Sequence, residues 1–344
     1  MTARHAVDLA RRRAVVRDDR TMLHVEIASP SSTTPVLMDV LAADAYVTSV
    51  CLSTGVLQRP AGDAITFDVP RESAQAVLDR IFDTGVHGAG TVRIEQVPTW
   101  VSGPAYDAML AAPGAGADAM VWPEVAQRAY TDSELTWTYL AFMVMATLLA
   151  GIAIPIDSQI LVIGAMVLGP EFGAIAALGV ALVRRRRSLL RQAVRTLVVG
   201  FAVGIGATTL AALLVRWLGW VDLSDLTRER PGTAFIYTPD RWSFIVALIA
   251  GVAGVLSLTS AKTGGLAGVF ISVTTIPAAA NTALALALGD WLEMRGSATQ
   301  LLLNITGMAL AGWATLALQD ALVRRSGRAP GRMRRRAADD PRRA

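Results

Sequence analysis

Cysteine, histidine and lysine are nearly absent from this chain, and each shortage removes a class of function. A single cysteine, Cys51, allows no intramolecular disulfide and no cysteine-based metal site. The three histidines, His5, His24 and His87, have no ligand spacing, so no metal and no cofactor are expected. Lys262 is the only lysine, and arginine carries the rest of the basic charge. There is no His-Glu-x-x-His, no Gly-x-Ser-x-Gly and no phosphate-binding Gly-rich loop ending in Gly-Lys-Ser/Thr. The expectation is therefore a protein that is not an enzyme and does not pump by hydrolysing ATP. The first residues, MTARHAVDLARRR, lack the apolar core of a signal peptide, so the first domain is expected in the cytosol.

What the chain has in abundance is apolar sequence, unevenly spread. Mean hydropathy is +0.44. Residues up to about 134 read as a water-soluble protein, and residues 135–320 read as membrane. The net charge of +4 raises the question of nucleic acid. The arginines, however, cluster beside apolar segments and in the tail at 321–344, which fits positive-inside membrane topology and no nucleic-acid partner.

The soluble part opens with a basic tail, 1–20, suited to anionic headgroups. From 21 to 98 the pattern is strand, helix, strand, strand, helix, strand. Met22–Ala28 alternates as a strand, and Ser31–Ala43 reads as a helix with Ser/Thr caps. Ala45–Val56 and Ala64–Val69 read as strands joined by a turn at Pro60–Asp63. Arg71–Thr84 is an amphipathic helix with Ala74, Val77, Leu78 and Ile81 on one face, and Gly90–Val97 is the last strand. This order predicts an α+β, ferredoxin-like domain. Residues 99–118, rich in Gly, Ala and Pro, read as a linker. Met120–Ser133 reads as an interfacial elbow helix, so that 99–134 joins the two parts.

Six crossings are predicted: Trp137–Ile154, Gln159–Val183, Leu189–Trp217, Trp242–Leu258, Gly264–Leu288 and Ala298–Leu318. An even number puts both termini on one side, with Arg184–Arg187 and the basic tail. The loops Gly219–Arg241 and Asp290–Arg295 then lie outside. The expected location is a bacterial inner membrane with cytoplasmic termini, and the lipid bilayer is the expected partner. Association into a homo-oligomer stays open.

The second crossing is broken at Gly169-Pro170, and Glu171 follows the break. Proline removes a donor and clashes with the preceding turn. A carboxylate at that depth is costly and marks a site. The fifth crossing repeats the pattern around Pro277. Each of the two is preceded by a plain crossing containing Ala-Gly, at Ala150-Gly151 and Ala250-Gly251. With three crossings per unit, the second unit enters from the opposite side, which is an inverted repeat. Paired interrupted helices of this kind point to a transporter's central site. Gly169, Pro170, Glu171, Thr274, Thr275, Pro277 and Asn281 are the candidates there, with Ser260, Lys262, Asn304 and Thr306 nearby in the pattern. Each Thr or Asn has an alternative reading as interhelical hydrogen-bonding glue. Lys262 either attracts an anion or marks the cytoplasmic interface.

The stretches IGAMVLGPEFGAIAALGVALV at 163–183 and LSLTSAKTGGLAGVFISVTTIPAAAN at 256–281 resemble the bacterial and archaeal membrane family catalogued as domain of unknown function 389. The resemblance covers about 135–320. It implies a membrane protein and supplies no activity. The first motif in that family often has Ser before the proline and an apolar residue after it. Here Gly169 and Glu171 stand in those places, so a role for Glu171 would not extend to the whole family. The expected function is transport of a small solute or ion, regulated by the cytosolic domain. The alternative is a membrane-anchored sensor or assembly platform without transport.

Overall fold

The computed structural model describes residues 21–112, 119–220, 232, 233, 236, 241–259 and 275–326. They fall into two compact units, one made of Met1–Glu124 with Thr259–Ala261 and Val323–Ala344, the other of Val125–Leu258 and Lys262–Leu322.

The first unit is α+β. Its elements are β1 (Met22–Ser29), α1 (Thr34–Ala42), β2 (Thr48–Gln58), β3 (Ala61–Pro70), α2 (Arg71–Asp83), α3 (Val86–Ala89), β4 (Thr91–Val97) and α4 (Gly103–Ala111). The four strands form one antiparallel sheet in the order β2-β3-β1-β4. Alternate residues of the two central strands, Val25 and Ile27 on β1 with Ile65 and Phe67 on β3, turn one way because strand side chains alternate between faces. They meet Leu37 and Leu41 of α1 and the predicted face of α2, Ala74, Val77, Leu78 and Ile81, all buried.

Three details differ from expectation. The turn expected at Pro60–Asp63 shrinks to Arg59-Pro60, because β3 already starts at Ala61 and pairs with Gln58. Helix α1 starts at Thr34, and its N-cap Thr33 makes no capping bond. Asp63 on β3 ties down the side chains around this helix start. Its Oδ2 accepts from Thr34 Oγ1 at 2.7 Å and its Oδ1 from Ser31 Oγ at 3.1 Å. Oδ1 also accepts from the Gly55 N–H at 2.8 Å. Gly55 has φ of +67° where the β2 register shifts, a conformation that glycine takes at little cost. The Gly55 amide first, then the Thr34 hydroxyl, hold the Asp63 carboxyl below the usual range.

The third difference is α4, inside the expected linker. Ser102 caps it by accepting from the Ala105 N–H, a proline stands in its first turn, and Ala105, Ala108 and Met109 are buried. It packs on β2 and β3. Residues 119–124 are likewise fixed. Buried Arg71 donates from Nε to the Ala119 carbonyl at 3.0 Å and pairs with Glu124 at 2.8 Å. The Trp122 N–H donates to Gln75 Oε1 at 2.7 Å.

The second unit is helical. Its elements are α5 (Trp122–Asp132), α6 (Trp137–Ala153), α7 (Gln159–Leu168), α8 (Glu171–Val183), α9 (Arg187–Trp217), α10 (Arg241–Thr259), α11 (Thr275–Leu288) and α12 (Trp291–Ser326). Three of these, α9, α10 and α12, are long and apolar enough to cross a membrane. The total is up to 5 if each bent pair is one span: α5 with α6, bent by 67°, and α7 with α8, bent by 56°. Helix α11 is a shorter apolar helix, and residues 264–274 of the expected fifth crossing lie outside the described residues. The expected outer loop Asp290–Arg295 is instead the start of α12. Asp290 Oδ1 accepts from the Glu293 N–H at 3.0 Å and starts the helix there, leaving Gly289-Asp290 as the connection.

Outward-facing positions of these helices are apolar, as at Ile160, Ile163, Leu210 and Leu302. Exposed tryptophans stand at helix ends: Trp137, Trp217, Trp220, Trp242 and Trp291. Water would penalise such a surface, whereas a bilayer with its aromatic belts accepts it. Between helices, small residues allow close approach. A Cβ on Gly200 would lie 2.7 Å from the Tyr139 ring, and one on Gly251 would lie 2.5 Å from the Met308 carbonyl oxygen.

Candidate functional site

The predicted break is present. Helix α7 ends at Gly169, whose N–H bonds to the Met166 carbonyl at 3.2 Å. Pro170 has no N–H to continue the ladder and stands as the N-cap of α8. Glu171 is thus the first residue of a helix. Its carboxylate is fully buried at the end where unpaired N–H groups give a partial positive charge.

Pro277 lies on α11 near the first of its described residues, and the residues before Thr275 lie outside the described ones. Thr275 of α11 donates from Oγ1 to Glu171 Oε1 at 2.5 Å, and both residues are fully buried. Two distant parts of the sequence thus meet at one carboxylate at the start of α8.

Tyr139 on α6, buried against Gly200, lies within electrostatic reach of Glu171. Its hydroxyl has no hydrogen-bond partner among the described residues. Gly173 lets the first turn of α8 approach the end of α5, where a Cβ would lie 2.5 Å from that of Asp132. Gly169, Pro170, Glu171, Thr275 and Pro277 are therefore gathered at one place.

Asn281 and Asn304 make their hydrogen bonds elsewhere. Asn281 Nδ2 donates to Glu293 Oε1 at 2.9 Å and to Ser297 Oγ at 2.8 Å. Asn304 Oδ1 lies 3.5 Å from Gln300 Nε2. Thr306 is exposed and donates to the Leu302 carbonyl of its own helix. Thr274, Ser260 and Lys262 lie outside the described residues. Tyr139, Glu293, Ser297 and Gln300 were not predicted. A signal existed for Glu293, Ser297 and Gln300, which recur with the predicted Asn304 at helical spacing and so share one face of α12.

Helices of this length and hydropathy, with buried polar groups at a break, define a polytopic membrane protein. More particularly, residues 166–310 match the family model described as Domain of unknown function (DUF389), and the chain carries a domain of that family. No curated protein and no solved structure matches the chain.

Proposed function

We propose that this protein carries a small solute or ion across a bacterial inner membrane and has no enzymatic role. The observation that carries the reading is the Thr275–Glu171 hydrogen bond, 2.5 Å long and fully buried, between α11 and the first residue of α8. A charged group buried at the start of an interrupted helix is how such transporters make a site in lipid. A carboxylate there changes its ionisation with the cation or donor beside it.

Six crossings in an inverted repeat are supported by matching close contacts. Gly151 of the first crossing meets Thr208 of the third, and Gly251 of the fourth meets Met308 of the sixth. The same chain spacing separates Gly151 from Gly251 and Thr208 from Met308. Sidedness is supported by hydrogen bonds between segments assigned to one face. On the outer side, Asp157 accepts from the Gly232 N–H at 3.1 Å and from Thr233 Oγ1 at 2.9 Å. Arg216 Nη1 donates to the Ala287 carbonyl at 2.9 Å. On the inner side, the Tyr130 and Ser188 hydroxyls are 2.7 Å apart and Arg128 Nη1 lies 3.4 Å from the Leu258 carbonyl. The termini are assigned to the cytoplasm, and the first unit to a regulatory domain of ferredoxin-like fold, supported by its strand order β2-β3-β1-β4.

The test is electrical and optical: charge movement and solute uptake in vesicles containing the purified protein, against empty vesicles. Concentration-dependent flux supports the proposal. Silent vesicles holding folded protein, across panels of inorganic ions and small metabolites, would leave the sensor or assembly platform as the better reading.

A further inference from the structure

Helix α8 reaches α9 through Arg184, Arg185 and Arg186, and Arg187 opens α9. The turn closes with the Arg186 N–H donating to the Ala181 carbonyl at 3.0 Å, which leaves Arg185 at φ of +51°. Helices that end this way usually place glycine there, because a Cβ is strained in that conformation. An arginine is kept instead.

Arg187, Arg191 and Arg195 recur at every fourth position, so they share one side of α9, and all three are exposed. The other side of that stretch is occupied. Leu189, Ala193 and Leu197 are buried, and Thr196 Oγ1 donates to the Ser133 carbonyl at 2.7 Å. The guanidinium groups of Arg185, Arg187, Arg191 and Arg195 make no hydrogen bond or ion pair among the described residues. Helix stability does not explain them. Like charges one turn apart repel, and cations oppose the dipole at a helix start. No acidic residue stands in the first turn of α9, and its N-cap Arg186 makes no side-chain capping bond.

Val194, Val198 and Ala202 continue the same side, exposed and uncharged. A row of cations therefore borders an apolar surface. Orientation in a membrane asks only for basic residues near a helix end and sets no order among them. A row in register with an apolar stripe meets a stricter demand. A soluble anion would use the cations alone. A phospholipid uses both parts, its phosphate on the guanidinium groups and its acyl chains on the valines. Each guanidinium can hold a phosphate by two parallel bonds. From Arg187 to Arg195 the row is about 12 Å long at the rise of an α-helix, too long for a single phosphate.

We infer that this side of α9, with Arg185 in the preceding turn, binds a phospholipid whose headgroup carries two phosphates. The inference needs α9 in a bilayer and does not depend on transport, so lipid binding and flux can fail separately.

The experiment is native mass spectrometry, with thermal unfolding, of the full chain in detergent freed of lipid and titrated with cardiolipin, phosphatidylglycerol or phosphatidylcholine. Wild type retains cardiolipin and melts at a higher temperature with it. Phosphatidylglycerol at matched phosphate binds more weakly, phosphatidylcholine does not bind, and inorganic pyrophosphate does not displace cardiolipin. Replacing Arg191 and Arg195 together by Gln weakens cardiolipin binding about tenfold or more. Arg185→Gly weakens it too, yet melts no lower than wild type without lipid, which separates a lost ligand from a lost fold. Arg295→Gln, exposed on α12, binds as wild type does. Equal binding of phosphatidylglycerol at matched phosphate would reduce the row to general attraction for an anionic membrane and overturn the inference. So would displacement by pyrophosphate, which would make the ligand a soluble anion, or unchanged cardiolipin binding after replacement of Arg191 and Arg195.

Discussion

Each unit buries a carboxylate that accepts from a threonine hydroxyl, and Asp63 accepts from a backbone N–H as well. Asp63 accepts from a backbone N–H in its own sheet and from hydroxyls one loop away. The amide cannot turn away, so the charge is locked in place and fixes where α1 begins. Glu171 meets a hydroxyl on another helix, 104 residues along the chain. A hydroxyl can rotate between donating and accepting, so that contact can follow a change of charge. Both carboxylates sit on the positive end of a helix dipole.

The comparison can be pressed from the fixed side first. Replacing Glu124 by Ala leaves Arg71 buried without its carboxylate, and breaking a buried pair costs about 3–5 kcal/mol. Urea unfolding of the first unit should register that loss. For the same reason a fragment covering 21–124 should be markedly more stable than one covering 21–98. Equal stability would show that the segment 119–124 contributes nothing to that unit.

A smaller loss is expected where helices touch. Gly251→Val places a Cβ 2.5 Å from the Met308 carbonyl oxygen, closer than real contacts allow. Overpacking of this kind costs about 1–3 kcal/mol, and thermal unfolding in detergent should show it. Gly206→Val, with open space around it, should change little.

Smaller still, and confined to acid, is the effect of Asp63. Its folded-state value is lowered from 3.8. Its contribution is therefore complete above about 3.8 and disappears as pH falls through the still lower folded value. Asp63→Asn should flatten the loss of stability of the first unit below pH about 4 relative to wild type. An unchanged acid limb would mean that the Gly55 and Thr34 contacts do not hold the charge.

The last of these tests changes no stability. Cysteines placed at Arg186 and Thr227 should label from opposite sides of the membrane, Arg186 from the cytoplasm. Labelling of Arg186 from outside would reverse the orientation.

Much of this was legible in the chain. Alternation gave the strands because one sheet face is buried, and the Gly169-Pro170 break followed from proline chemistry. The helix at 103–111 was hidden by its Gly, Ala and Pro content, although Ser102 ahead of Pro104 is a start signal. Asp290 with Glu293 three residues on has the spacing of a capping pair, and reading it would have removed the expected loop. The Asn281–Glu293 contact depends on where α12 begins, so it could not be read before that start was known. Tyr139 gave no signal, because its place beside Gly200 depends on helix packing.

The most direct test of the central claim is flux through Glu171→Gln in reconstituted vesicles, at equal protein incorporation and across pH about 5–8. The amide keeps the shape and removes only the titratable charge. Flux should be abolished or lose its coupling in Glu171→Gln while the melting profile stays that of wild type. Arg295→Gln, exposed near the start of α12, should transport normally. Wild-type flux and wild-type pH dependence in Glu171→Gln would contradict the account and leave the Glu171–Thr275 contact as packing between two helix ends.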